Sequence, residues 1–119
     1  MAPLEARIAV FEDDPSLRRI LKKYLEDDGH KVVLQAGTMQ EALGVIPTLG
    51  KCSVQVAVID GNLREGDGSG RDGAMLNELI KQQFPEIKTI GWSGGEVKGV
   101  DFAFGKSEYG EIGKKINEI

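Results

Sequence analysis

Apolar residues along this chain fall into two patterns, short continuous runs and stripes that recur every three or four positions. The runs Arg7–Phe11, Lys31–Gln35, Val54–Ile59, Ile87–Trp92 and Asp101–Phe104 predict five strands, and the third is the most apolar. Between them the spacing predicts helices. Asp14 before Pro15 is a good N-cap followed by proline at the first helical position, and Leu17, Ile20, Leu21, Tyr24 and Leu25 form the stripe of a helix that Gly29 stops. Thr38-Met39-Gln40-Glu41 matches a capping box, with Ala42, Leu43, Ile46 and Leu49 expected inward. Asp72 or Gly73 begins a third helix with Met75, Leu76, Leu79, Ile80 and Phe84 on one face, ended near Pro85. Ser107 is expected to cap a last helix whose apolar side is Tyr109, Ile112, Ile116 and Ile119. Strand and helix in alternation call for an α/β, doubly wound, five-stranded parallel sheet with right-handed crossovers.

Composition narrows what such a fold could do. A chain of 119 residues fits one domain, residues 1–119; at that size folding buries roughly two-thirds of the unfolded surface. Charged residues make up 29% and the aliphatics are ordinary, as in a soluble globular protein. The net charge of −4, with no Lys/Arg run, argues against nucleic-acid binding through a basic face. A single cysteine, Cys52, excludes an internal disulfide and a cysteine-rich zinc site, which fits a reducing cytoplasm. Neither the start of the chain nor any later stretch has 18 consecutive apolar residues, so a cytoplasmic, unanchored protein is expected.

The candidate chemistry lies at the strand ends, the rim where open α/β sheets bind ligands. Asp60 ends the third run, Glu12-Asp13-Asp14 follows the first, Ser93 follows the fourth and Lys106 the fifth. Carboxylates, a hydroxyl and an ammonium at successive strand ends suggest a phosphoryl-transfer site with a divalent cation. Each residue also has a plainer reading. Asp60 could be a strand-end cap, Ser93 before Gly94-Gly95 a turn, and Lys106 a solvated lysine. The acidic run could be charge favoured by a helix dipole, a role best suited to Asp14. His30 beside Gly29 is expected in a solvated loop. Cys52 and Trp92 are expected to be packing residues, and Met39 and Met75 core fillers. The glycine-rich stretch 61–73 reads as a mobile loop beside the site.

In these residues the chain resembles the receiver domains of bacterial two-component response regulators. The segment from Ile8 to Arg18 looks like that family's first strand, acidic pair and first helix, and the resemblance runs from about Arg7 to the C-terminus. It implies a flavodoxin-like sheet of order 2-1-3-4-5. It makes Asp60 the phospho-acceptor, with Ser93 and Lys106 contacting the phosphoryl group. Mg²⁺ would be held by Glu12, Asp13, Asp60 and the backbone carbonyl of Asn62, hard oxygen ligands that suit it. The implied partner is a sensor histidine kinase or a histidine phosphotransfer protein, and the chain would be an autocatalytic phospho-acceptor rather than a turnover enzyme. Since no effector domain fits in 119 residues, a stand-alone receiver is expected, acting by docking, by relaying phosphate or as a phosphate sink.

The chain departs from the family's pattern in several places. Its acidic pair is Glu-Asp rather than Asp-Asp, the loop after Asp60 is long and lacks a proline near Arg64, and Ser107 stands where a proline is typical. Only twelve residues, Gly94 to Gly105, separate Ser93 from Lys106. With a strand among them, and Gly94-Gly95-Glu96-Val97-Lys98-Gly99-Val100 a poor helix former, the fourth helix is expected to be shortened or missing. Ala103 occupies the position of the family's aromatic switch, while Phe102 and Phe104 should face the other side of the strand. Two alternatives follow. One is a degenerate receiver that binds proteins independently of phosphorylation. The other is a haloacid-dehalogenase-type phosphatase, against which Asn62 stands where an acid/base aspartate is usual.

Overall fold

The computed structural model describes residues 5–61, 71–94 and 97–118. Five strands, β1 (Arg7–Phe11), β2 (Lys31–Ala36), β3 (Val56–Ile59), β4 (Lys88–Trp92) and β5 (Phe102–Phe104), alternate with four helices. These are α1 (Pro15–Asp27), α2 (Met39–Val45), α3 (Arg71–Gln83) and α4 (Tyr109–Ile116). The sheet has the order β2-β1-β3-β4-β5 and every neighbouring pair is parallel. This is the flavodoxin-like, doubly wound topology expected from the sequence.

Alternation along the strands divides the core into two layers. Ala9, Phe11, Ala57 and Ile59 face one side and pack with Ala42, Ile46, Leu76 and Ile80 from α2, its following turn and α3. Ile8, Val10, Val56, Val58, Ile90 and Trp92 face the other and pack with Leu21 and Leu25 of α1 and Ile112 and Ile116 of α4. All four residues of β3 are buried, and none of them is polar. Among the described residues no helix is long and apolar enough to cross a membrane.

Local signals set the element boundaries. The Asp14 carboxylate accepts from the amides of Ser16 and Leu17 and starts α1. Thr38 Oγ1 accepts from the Glu41 amide at 3.0 Å, but the Glu41 carboxylate reaches back to the Gly37 amide, one residue beyond the expected capping-box partner. Ser107 does not cap the last helix. The chain leaves β5 through a 3-10 turn, Lys106–Glu108, closed by the Gly105 amide donating to the Glu108 carboxylate, and α4 starts only at Tyr109.

Some stripe positions lie outside the core. Leu43 is 46% exposed and Met75 45%, because each directly precedes or follows the residue that its helix turns inward, Ala42 and Leu76. Ile20 and Tyr24 lie at the edge of the α1 stripe, and Tyr24 packs its ring against Tyr109 of α4 at 5.1 Å between centroids. His30 is not solvated. It is 4% exposed, its Nδ1 accepts from the Ala6 amide at 3.1 Å, and its Nε2 lies 3.1 Å from the Gly113 carbonyl oxygen. The ring thus ties the chain entering β1 to α4.

No helix occurs among the described residues between β4 and β5. Buried Val97 and neighbouring Val100 pack directly on Gly91 instead, so two side chains of an irregular segment cover β4 on the α3 side. Asp101 anchors this segment. Its carboxylate accepts from the Thr89 amide at 2.9 Å and from Lys81 Nζ at 2.6 Å. Phe102 and Phe104 pack in the α1/α4 layer, while Ala103 is exposed on the opposite side.

The His30 bridge gives a direct test. Replacing it with Ala leaves a buried amide and a buried carbonyl without their partner and opens a cavity, so His30→Ala should cost about 2–4 kcal/mol of stability. Urea unfolding checks this; an unchanged midpoint would show that the bridge contributes nothing.

Candidate functional site

Parallel register brings the acidic residues together. Phe11 pairs with Ile59 across β1 and β3, so the next residues, Glu12 and Asp60, leave the sheet at the same level. Both are buried, at 1% and 6% exposure, with Asp13 only partly covered. Backbone bonds fix the exits: the Asp60 amide donates to the Phe11 carbonyl at 2.8 Å and the Glu12 amide to Ala36 at 3.0 Å. Carboxylate oxygens of Glu12, Asp13 and Asp60 then lie within 4.8 Å of one another.

Lys106 enters from the end of β5. Its ammonium is ion-paired with Glu12 Oε1, lies 3.4 Å from Asp60 Oδ2, and sits over the Trp92 ring at 4.4 Å from the centroid. The reading of Lys106 as a solvated surface lysine is therefore set aside. Trp92 was expected only to pack, yet it holds this lysine twice, since its Nε1 also donates to the Lys106 carbonyl at 3.2 Å. An ammonium on an indole face gains about 0.5–2 kcal/mol depending on desolvation. The available signal for this role was weak: an aromatic residue at the last strand position, immediately before Ser93.

Ser93 extends from β4, with its amide donating to the Phe104 carbonyl at 3.1 Å. Its hydroxyl packs against the backbone that follows Asp60: a Cβ added at Gly61 would stand 2.8 Å from Ser93 Oγ. Gly61 therefore allows the hydroxyl to approach the end of β3. The structure thus brings five of the six sequence-predicted site residues to one rim. Asn62, and with it the glycine-rich stretch read as a mobile loop, lies outside the described residues apart from Gly61 and the start of α3.

Three carboxylates this close cannot all carry full charge without compensation. Burial pushes Glu12 up to about 8, reinforced by hydrogen bonding to Asp13, while Lys106 and the Asp14 amide pull the other way. Burial also acts upward on Asp13, but hydrogen bonds with Glu12 and Asp60 bring it below its ordinary value. Burial thus favours the neutral form of Glu12, opposed by the Lys106 ammonium, while Asp13 is favoured in its charged form. A donor set of hard carboxylate oxygens within reach of one another, offset here by one ammonium, fits a divalent cation such as Mg²⁺.

No protein-family model matches the chain, and no curated protein matches it in sequence. Solved structures do match it in fold. A CheY-like response regulator receiver domain from Methanospirillum hungatei JF-1 superposes with a TM-score of 0.75 at 25% identity, covering 97% of this chain and 93% of that one. A receiver domain protein from Clostridium thermocellum gives 0.75 at 22% identity, over 95% and 92% of the two chains. The RcsB response regulator of Salmonella typhimurium gives 0.76 at 21% identity over 94% of this chain, which spans 58% of the RcsB chain's length. The fold is that of the response-regulator receiver domains of two-component signalling, and this fold does not in general belong to turnover enzymes.

The raised pKa of Glu12 predicts a pH dependence. Because the folded protein holds Glu12 protonated up to about 8, against 4.5 for the free side chain, the folded state binds more protons between those values. Metal-free stability should therefore fall as pH rises from about 4.5 to about 8. Glu12→Gln, which cannot ionise, should flatten that slope in urea titrations across the range. An equal slope in the variant would place the proton elsewhere.

Proposed function

We propose that this chain is a two-component receiver that accepts a phosphoryl group on Asp60 from a sensor histidine kinase or a histidine phosphotransfer protein. The observation that carries the reading is the convergence of Glu12, Asp13, Asp60 and Lys106 on one rim of a receiver fold. Asp60 Oδ attacks phosphorus, a P–O bond forms as the P–N bond of phosphohistidine breaks, and the leaving imidazole takes up a proton. Glu12, Asp13, Asp60 and the Asn62 backbone carbonyl would hold Mg²⁺. When bound, the ion offsets the repulsion between the acceptor carboxylate and the incoming phosphoryl oxygens.

The chain's own groups supply the rest by position and charge. Lys106 can move from Glu12 to the phosphoryl oxygens along a short path, since it already lies between Glu12 and Asp60. The Ser93 hydroxyl donates to the same group. Nothing here needs a separate general base, so the reaction is a single autocatalytic phosphorylation rather than turnover. In this reading the protein works in the cytoplasm, through a docked partner, a relay or as a phosphate sink.

The β4–β5 segment favours a second reading, a receiver that binds its partner independently of phosphorylation, because a helix is absent there among the described residues and Ala103 has no aromatic ring. One experiment separates the two. Incubation with acetyl phosphate and Mg²⁺ should add one phosphoryl mass to the wild type, none to Asp60→Ala, and little to the wild type with EDTA. Lys106→Ala should slow the reaction by about 10- to 1000-fold, the loss expected on removing one preorganised charge from such a site. No adduct on the wild type, or an undiminished adduct on Asp60→Ala, would leave the second reading standing.

A further inference from the structure

Helix α1 carries four cations on its middle turns. Beyond the Asp14 cap, Arg18, Arg19, Lys22 and Lys23 occupy its middle and Glu26 and Asp27 its last turn. Arg18–Lys22 and Arg19–Lys23 are like-charge pairs four residues apart, which repel. Three of these cations also converge. Arg18, Arg19 and Lys22, with Pro15 and the exposed amide of Gln35 on the edge strand β2, line a cleft of about 240 Å³. Every charge lining it is positive, although the chain as a whole carries −4. Among the described residues none of the three makes an ion pair.

One of the cations is held in place beforehand. Arg18 is half-buried, its Nη1 donates to the Glu12 carbonyl at 2.7 Å, and it lies so close to Gly37 that an added Cβ there would stand 2.6 Å from the same nitrogen. Two guanidinium groups, an ammonium and an amide thus surround a space smaller than the 300 Å³ or more that a drug-sized ligand takes, but roomy for one charged group. Guanidinium forks match the planar or tetrahedral oxygens of carboxylate and phosphate.

We propose that the α1–β2 cleft is an oxyanion-binding site that seats a single phosphate or carboxylate group carried on a larger ligand. Arg18 sets the geometry, Arg19 and Lys22 close on the anion, and Gln35 donates from the strand edge. The cleft lies on the β2 side of α1, away from the Tyr24–Tyr109 contact with α4, and it does not depend on Asp60 accepting a phosphoryl group. Binding an anion there would relieve the repulsion that α1 carries when the cleft is empty.

The test is an amide-shift titration of the full chain in EDTA with inorganic phosphate and, separately, with triglutamate. Saturable shifts confined to α1 and Gln35 are expected. The double variant Arg19→Gln/Lys22→Gln should weaken binding at least about tenfold, the loss of one or more charge-assisted hydrogen bonds. Tighter phosphate binding identifies a phosphate-bearing ligand, and tighter triglutamate binding an acidic protein segment. Linear shifts, or the same affinity in the variant, overturn the proposal. Urea unfolding provides a second readout, since phosphate should raise the wild-type midpoint more than the variant's. An equal rise in both would reflect only general salt effects and would also overturn it.

Discussion

The constraint on which this molecule depends is the registration of β1 with β3. Once Phe11 lies beside Ile59, the residues that follow have no choice of level, and Glu12 and Asp60 emerge together into a nearly dry rim. Like charges at that depth repel strongly, so the surroundings must supply positive charge. The raised pKa of Glu12, the Lys106 ammonium and the indole beneath it are three answers to one electrostatic demand.

The same demand explains why the apolar core is so regular. Carboxylates can be held close only if the strands carrying them cannot slide, and β1 and β3 are locked by side chains buried on both faces of the sheet. The two layers differ in what they hold. The α2/α3 layer closes behind the start of α3, where the Gly73 amide donates to the Gly61 carbonyl. The α1/α4 layer contains Trp92, Phe102 and Phe104 and so supports the lysine.

Most of the architecture was legible because it follows from periodicity. Five apolar runs with capping signals between them determine a doubly wound sheet, and acids, a hydroxyl and a lysine at the run ends come together at one rim of it. The twelve-residue spacing from Ser93 to Lys106 was enough to foresee that no ordinary helix fits before β5. The features that escaped notice depend on contacts between residues far apart in the chain. His30 next to Gly29 looks like a loop residue until α4 packs across it, 83 positions later. Leu43 and Met75 satisfy a helical stripe in sequence, but a short or shallowly packed helix buries only the centre of its stripe. Ser107 has the right chemistry for a cap, and a local Gly105–Glu108 bond takes its place. Trp92 as a support for Lys106 needs the β5 exit to fold back over β4, which no local pattern encodes.

The pairing of Trp92 with Lys106 also has an optical side. The chain contains one tryptophan, fully buried, and its indole ring lies directly under the ammonium that pairs with the acidic cluster. A cation over an indole face shifts and quenches that chromophore's emission, so the protein's entire tryptophan signal comes from one site. The molecule carries its own voltmeter: the colour and brightness of a single ring follow where one positive charge resides.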